Sequence, residues 1–153
     1  MPNLNNKSYK RFKNPLEKKH FQDRVENKFY GTSLWKRIRS LQKTRKPICE
    51  VCEAKGIFTD CSDGNNNGIA DHVIRLLEGG HPYDEQNLFT LCKKCHNTKS
   101  NMEGRGFSPG KISSIDGYYL PQSKENIIKA IIKKKVNENE NTEIKRPSGN
   151  FKT

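Results

Sequence analysis

Along the first thirty residues, five aromatics (Tyr9, Phe12, Phe21, Phe29 and Tyr30) are scattered among Asn and Lys without a sustained period. That pattern predicts an arm, with a short helix from Leu16 to Asn27. Gly31-Thr32-Ser33 then punctuates the chain, and Thr32 or Ser33 is a natural N-cap. Leu34, Ile38 and Leu41 follow at i, i+4 and i+7 beside Trp35, with Lys36, Arg37, Arg39 and Lys43 on the other faces. This spacing predicts an amphipathic helix ended by Pro47, its apolar stripe in the core. From Pro47 to Gly106 the texture changes to cysteines, histidines and turn residues. Asp63 to Gly68 is a loop by composition, and Glu78-Gly79-Gly80-His81-Pro82 forces a turn between the apolar stretches Ile69–Leu77 and Asn87–Leu91. Lys94 to Met102 suits a short helix closed by Gly104. Further on, Ile112 to Leu120 reads as extended. A helix is expected from about Ser123 to Val136, with Ile127, Ile128, Ile131 and Ile132 on one face. From Asn137 onward the Asn/Glu repetition predicts a disordered tail.

Composition makes the core small. Of 153 residues, 31% are hydrophobic and 30% are charged, whereas globular domains run at about 45–50% apolar with Gly counted. No run approaches the roughly 18 apolar residues of a membrane span. Met1 to Lys19 is polar and basic, without the apolar stretch of a secretory signal, so a cytoplasmic protein is expected. The net charge of +12 is uneven: residues 1–48 carry 14 Lys+Arg against 3 Asp+Glu, residues 49–106 carry 6 against 9, and residues 107–153 carry 9 against 5. Basic segments flanking an acidic centre suit a polyanion-binding chain, because each neutralised phosphate releases condensed counterions. The expected organisation is a basic arm over 1–30, a central domain over 31–106 and a C-terminal extension over 107–153.

Cys49-Glu50-Val51-Cys52 and Cys92-Lys93-Lys94-Cys95 are two C-x-x-C pairs. Their spacing matches tetrahedral Zn²⁺ held by four thiolates, a closed structural site able to substitute for missing core. Disulfides or a redox pair are the competing readings, and metal content separates them. Cys61 is left over as a spectator. Between the pairs lie 39 residues, Glu53 to Leu91, long for a minimal zinc ribbon.

That insert contains Asp71-His72-Val73-Ile74 and Asn87-Leu88, and the second pair runs directly into His96. A carboxylate and an imidazole can hold a divalent cation, while a second imidazole can take a proton from water. In this order, with Gly79-Gly80, Asp84-Glu85-Gln86-Asn87-Leu88 and Leu91-Cys92-x-x-Cys95-His96-x-x-Lys99, the chain resembles the HNH endonucleases with a zinc-stabilised ββα-metal motif (the His-Me finger), over about residues 31–106. The four-cysteine form is similar to small phage HNH proteins. The resemblance implies a small α+β fold in which two antiparallel strands and a helix grip one catalytic divalent ion, Mg²⁺ or Mn²⁺. It implies His72 as general base, Asp71 and His96 as metal ligands, and Asn87 as the residue orienting the His72 loop or, in some members, contacting the metal. It implies hydrolysis or nicking of double-stranded DNA to 5′-phosphate and 3′-hydroxyl ends, with no membrane, and leaves a homodimer and a packaging or restriction partner open. Arg75 stands where many relatives have Pro. Arg75, Lys99, Lys36, Arg37 and Arg39 are the candidate phosphate contacts. The alternative is a non-catalytic zinc module that binds DNA or RNA.

Overall fold

The computed structural model describes residues 14–144. Residues 1–13 of the expected arm and 145–153 of the expected tail lie outside them. Helix α1 spans Pro15–Tyr30, longer at both ends than the short helix expected. Asn14 caps it by accepting from the Glu17 amide at 2.8 Å, and proline at the first position has φ preset for a helix. The expected boundary at residue 30 therefore falls in the last turn of a helix, and that turn packs inward: Phe29 is buried.

Helix α2 spans Ser33–Arg45, capped as the sequence suggests by Thr32, whose hydroxyl oxygen accepts from the Trp35 amide at 3.2 Å. Its inward face differs from the expected one. Leu34 and Leu41 are 45% and 44% exposed, while Trp35 and Gln42 are buried. The helix is turned by about one residue, some 100°, because Trp35 joins Phe29 and Leu88 in a small apolar cluster. Gln42 meanwhile donates through Nε2 to the Thr90 hydroxyl at 3.3 Å.

The centre is compact in sequence. Helix α3 (Glu50–Ala54) carries the first cysteine pair. Strands β1 (Gly68–His72) and β2 (Leu88–Cys92) pair antiparallel, from Gly68 opposite Cys92 to His72 opposite Leu88. Helix α4 (Lys93–Gly104) follows β2 without a loop, which gives the ββα order. Gly68 is required where the loop passes the strand, since a Cβ there would lie 2.1 Å from the Cys61 carbonyl oxygen. The fold is thus small and mixed α+β.

Strands β3 (Lys111–Ser113) and β4 (Tyr119–Pro121) form a hairpin within the stretch expected to be extended, turned at Gly117 with φ of 83°. The Tyr119 amide donates to the Gly79 carbonyl and the Tyr119 carbonyl accepts from the His81 amide, both at 2.9 Å, so this hairpin braces the Gly79–His81 turn. Helix α5 spans Lys124–Ile144 and buries Ile127 and Ile131 against the cysteine-containing core, as its periodicity predicts. It overruns the expected end near Val136. No Gly or Pro interrupts the Asn/Glu stretch before Pro147, and Lys134 pairs with Glu138 one turn on, at 3.8 Å. No described helix is long and apolar enough to cross a membrane.

Candidate active site and metal centre

Cys49 opens α3 and Cys52 lies within it, while Cys92 opens α4 and Cys95 lies within its first turn. One sulfur from each of the four lies within 4.8 Å of the others, all buried. The Cys52 Sγ is 3.9 Å from that of Cys92 and 3.8 Å from that of Cys95. A tetrahedral ion with metal–sulfur bonds of about 2.3 Å requires sulfur–sulfur edges of about 3.8 Å. The cluster fits such an ion and is far too open for a disulfide, whose sulfurs lie about 2.05 Å apart. The Cys95 thiol beside Cys49 holds Cys49 well below the ordinary thiol range, while the same contact and burial hold Cys95 above it. Lys135, from α5, places its ammonium 3.3 Å from the Cys95 sulfur. Cys61 is buried outside this group, as expected of a spectator.

The ββα unit brings Asp71, His72 and His96 to one cleft of about 520 Å³. Adjacent strand residues point to opposite faces, but His72 ends β1, and both it and Asp71 line the opening. The His72 imidazole is 1% exposed. One ring face stacks on Trp35 at 4.7 Å between centroids, and Phe29 approaches at 5.8 Å. Its Nε2 lies 2.9 Å from the Pro82 carbonyl oxygen. A carbonyl can only accept, so Nε2 carries the proton and Nδ1 holds the lone pair. Nδ1 lies 3.2 Å from the Tyr30 hydroxyl, which donates to it. Burial holds His72 below the ordinary imidazole range, partly offset by the Pro82 contact, so the neutral ring is favoured.

Asn87 is fully buried and ties together the backbone around His72. Its Oδ1 accepts from the Ile74 amide at 2.8 Å, and its Nδ2 donates to the Ile74 carbonyl at 3.1 Å and the His81 carbonyl at 2.8 Å. The Val73 amide in turn donates to the Asn87 carbonyl at 2.8 Å. One side chain thus fixes the segment after His72 and the residue before Pro82. Gly80 completes the lock, because a Cβ there would lie 2.0 Å from the Ile74 carbonyl oxygen.

Asp71 does not stand alone. Its Oδ2 is 2.9 Å from the Lys99 ammonium, which also meets Glu103 at 2.5 Å. Burial alone would lower Lys99, but these two carboxylates hold it above its ordinary value. Lys99 is 2% exposed, so the expected phosphate clamp is instead an internal counter-charge. Arg75 and Arg39 line the cleft mouth, Arg75 3.8 Å from Glu26 of α1. Lys36 and Arg37 are exposed on α2. His81 is tied by Nε2 to Asp116 at 2.6 Å and accepts at Nδ1 from the Tyr83 and Asp84 amides. Tyr30, Glu26, Glu103 and the Pro82 carbonyl are site groups that the sequence pattern does not single out. Only Glu103 had a local signal, standing four residues after Lys99 on one helix.

A family model described as HNH endonuclease matches residues 49–102. Among solved structures, the chain is similar to the HNH endonuclease of the deep-sea thermophilic bacteriophage GVE2, crystallised with manganese ion. The two are 25% identical with a TM-score of 0.49, over 62% of this chain and 99% of that one. No curated protein matches the chain. Residues 49–102, which the HNH endonuclease model matches, hold both cysteine pairs together with Asp71, His72, Asn87 and His96.

Proposed function

We propose that this protein is a metal-dependent endonuclease that hydrolyses phosphodiester bonds of double-stranded DNA, leaving 5′-phosphate and 3′-hydroxyl ends. One observation carries the reading: His72 has its Nε2 proton committed to a backbone carbonyl, which leaves Nδ1 basic in the cleft that Asp71 and His96 also line. A general base needs a neutral imidazole of fixed tautomer, and this ring has both. Asp71 and His96 would hold the catalytic ion, an oxygen and nitrogen donor pair suited to Mg²⁺ or Mn²⁺. When bound, the ion supplies stabilisation for the charge on the phosphoryl oxygens and the departing 3′-oxygen. Asn87 orients His72 through the loop it ties, and Arg39 and Arg75 at the cleft mouth, with Lys36 and Arg37 on α2, hold the DNA backbone. The four cysteines would hold Zn²⁺ as a structural ion, with every coordination position filled by protein.

The chemistry is tested by incubating supercoiled plasmid with the purified protein and Mg²⁺ or Mn²⁺, then analysing the ends. Nicked or linear products with 5′-phosphates are expected. Plasmid left intact with every divalent ion tried would leave a DNA-binding zinc module in place of an enzyme.

A further inference from the structure

His72 is the proposed base, yet its imidazole is almost wholly enclosed where it meets the cleft. Trp35 and Phe29 flank its ring, Nε2 is held by Pro82, and the residue is 1% exposed. Its remaining nitrogen, Nδ1, meets the Tyr30 hydroxyl at 3.2 Å. Tyr30 comes from α1, outside the family-matched segment, and it lines the cleft beside Asp71 and His96. Its ring is held edge-on to Phe29 at 5.3 Å and to Trp35 at 5.3 Å, so the cluster that buries His72 also fixes the hydroxyl. A phenol has one proton to give and lone pairs with which to accept. Here the proton points at Nδ1, and Tyr30 is one of the residues that line the cleft.

We infer that Tyr30 is a catalytic residue, its hydroxyl relaying the proton of the attacking water to His72 Nδ1. The inference rests on the endonuclease reading above. In the step, a water O–H bond breaks as a new O–H bond forms on Tyr30. The original Tyr30 O–H bond breaks as Nδ1–H forms, so the tyrosine ends as a neutral phenol and His72 as an imidazolium. The water oxygen forms its bond to phosphorus, and the bond from phosphorus to the 3′-oxygen breaks with its electron pair on that oxygen, which takes a proton from solvent. Burial pushes the Tyr30 hydroxyl well above its ordinary value, which keeps it protonated between turnovers and suits a concerted relay.

Tyr30→Phe tests the relay, because it removes the hydroxyl and keeps the ring that packs on Phe29 and Trp35. With zinc content and melting temperature matched to wild type, we expect kcat to fall by about 100-fold or more while DNA affinity stays within about twofold. The solvent isotope effect should report two protons in flight in wild type. A second readout needs neither metal nor DNA: ¹⁵N NMR of His72 should show Nε2 protonated and Nδ1 as an acceptor whose resonance moves downfield in Tyr30→Phe. A Tyr30→Phe protein with unchanged or higher kcat would make the hydroxyl a cap and overturn the relay alone, as would a ring protonated at Nδ1. A wild type that never cuts, with the NMR signature intact, overturns the endonuclease reading and the relay with it.

Discussion

Asn87 is closed off from solvent and makes three side-chain hydrogen bonds to backbone groups of Ile74 and His81. Replacing it by alanine leaves those groups buried without partners, at about 1–3 kcal/mol for each unsatisfied group. Asn87→Ala should therefore lose roughly 3 kcal/mol in denaturant unfolding and also release the Pro82 carbonyl from its position against His72. Gly80→Ala attacks the same lock by collision with the Ile74 carbonyl and should lose about 2 kcal/mol or more. An unchanged denaturation midpoint for either variant would show that the lock does not stabilise the fold. Lys99 makes a different kind of demand. Its ammonium is enclosed between Asp71 and Glu103, and removing one partner of a buried ion pair costs about 3–5 kcal/mol. Lys99→Met should destabilise by that order, whereas a lysine that served only to hold phosphate at the surface would lower DNA affinity on removal and leave stability alone. The motif residues were legible because their order and spacing are local. Tyr30 and the Pro82 carbonyl were not, because their contacts with His72 span 42 and 10 residues and leave no periodic trace.

Helix α1 joins two roles that its composition alone reads as one. Its last turn, Phe29 and Tyr30, packs on Trp35 and His72, while residues 1–13 before it carry four Lys+Arg and no acid. Two truncations separate these roles. Deleting residues 1–13 should flatten the salt dependence of DNA binding, by up to about 0.9 in the log–log slope for each phosphate that those residues neutralise, with no change in melting temperature. Deleting residues 1–30 should in addition lower the melting temperature, since removing a buried Phe costs about 3–5 kcal/mol. Equal melting temperatures for the two would show that α1 does not belong to the packed domain. In α2 the presence, cap and length of the helix were legible from Thr32 and the apolar spacing. Its rotation was not, because Leu34–Ile38–Leu41 and Trp35–Ile38–Gln42 are both helical stripes, and the choice between them depends on Phe29, Leu88 and Thr90 elsewhere in the chain. For α5 the start and the apolar face were legible from the isoleucine spacing, whereas its C-terminal end was set by the absence of a breaker.

At the scale of the molecule, a chain only 31% hydrophobic surrounds four cysteines whose sulfurs are spaced for a tetrahedral ion. The apolar cluster that contains them also holds Val51, Phe89, Leu91 and the two buried isoleucines of α5, so the candidate metal centre and the core are one body. Structural zinc contributes about 10–16 kcal/mol of apparent binding free energy in small modules. Stripping the metal with a strong chelator should therefore unfold residues 49–102 with α5, read as loss of far-UV circular dichroism, and one zinc per chain should restore it. A fold that persists after chelation would assign stability to the apolar contacts alone. The charge completes the picture: the basic excess lies in the flanking segments, while residues 49–106 carry 6 Lys+Arg against 9 Asp+Glu. In the proposed reaction His72 is the group that finally takes the proton from water. That role is tested most directly by the single-turnover cleavage rate of a defined duplex with Mn²⁺, wild type against His72→Ala at equal zinc content and equal DNA occupancy. A loss of about 100-fold or more is expected in the variant, and a variant that cuts at the wild-type rate would contradict the role assigned to His72.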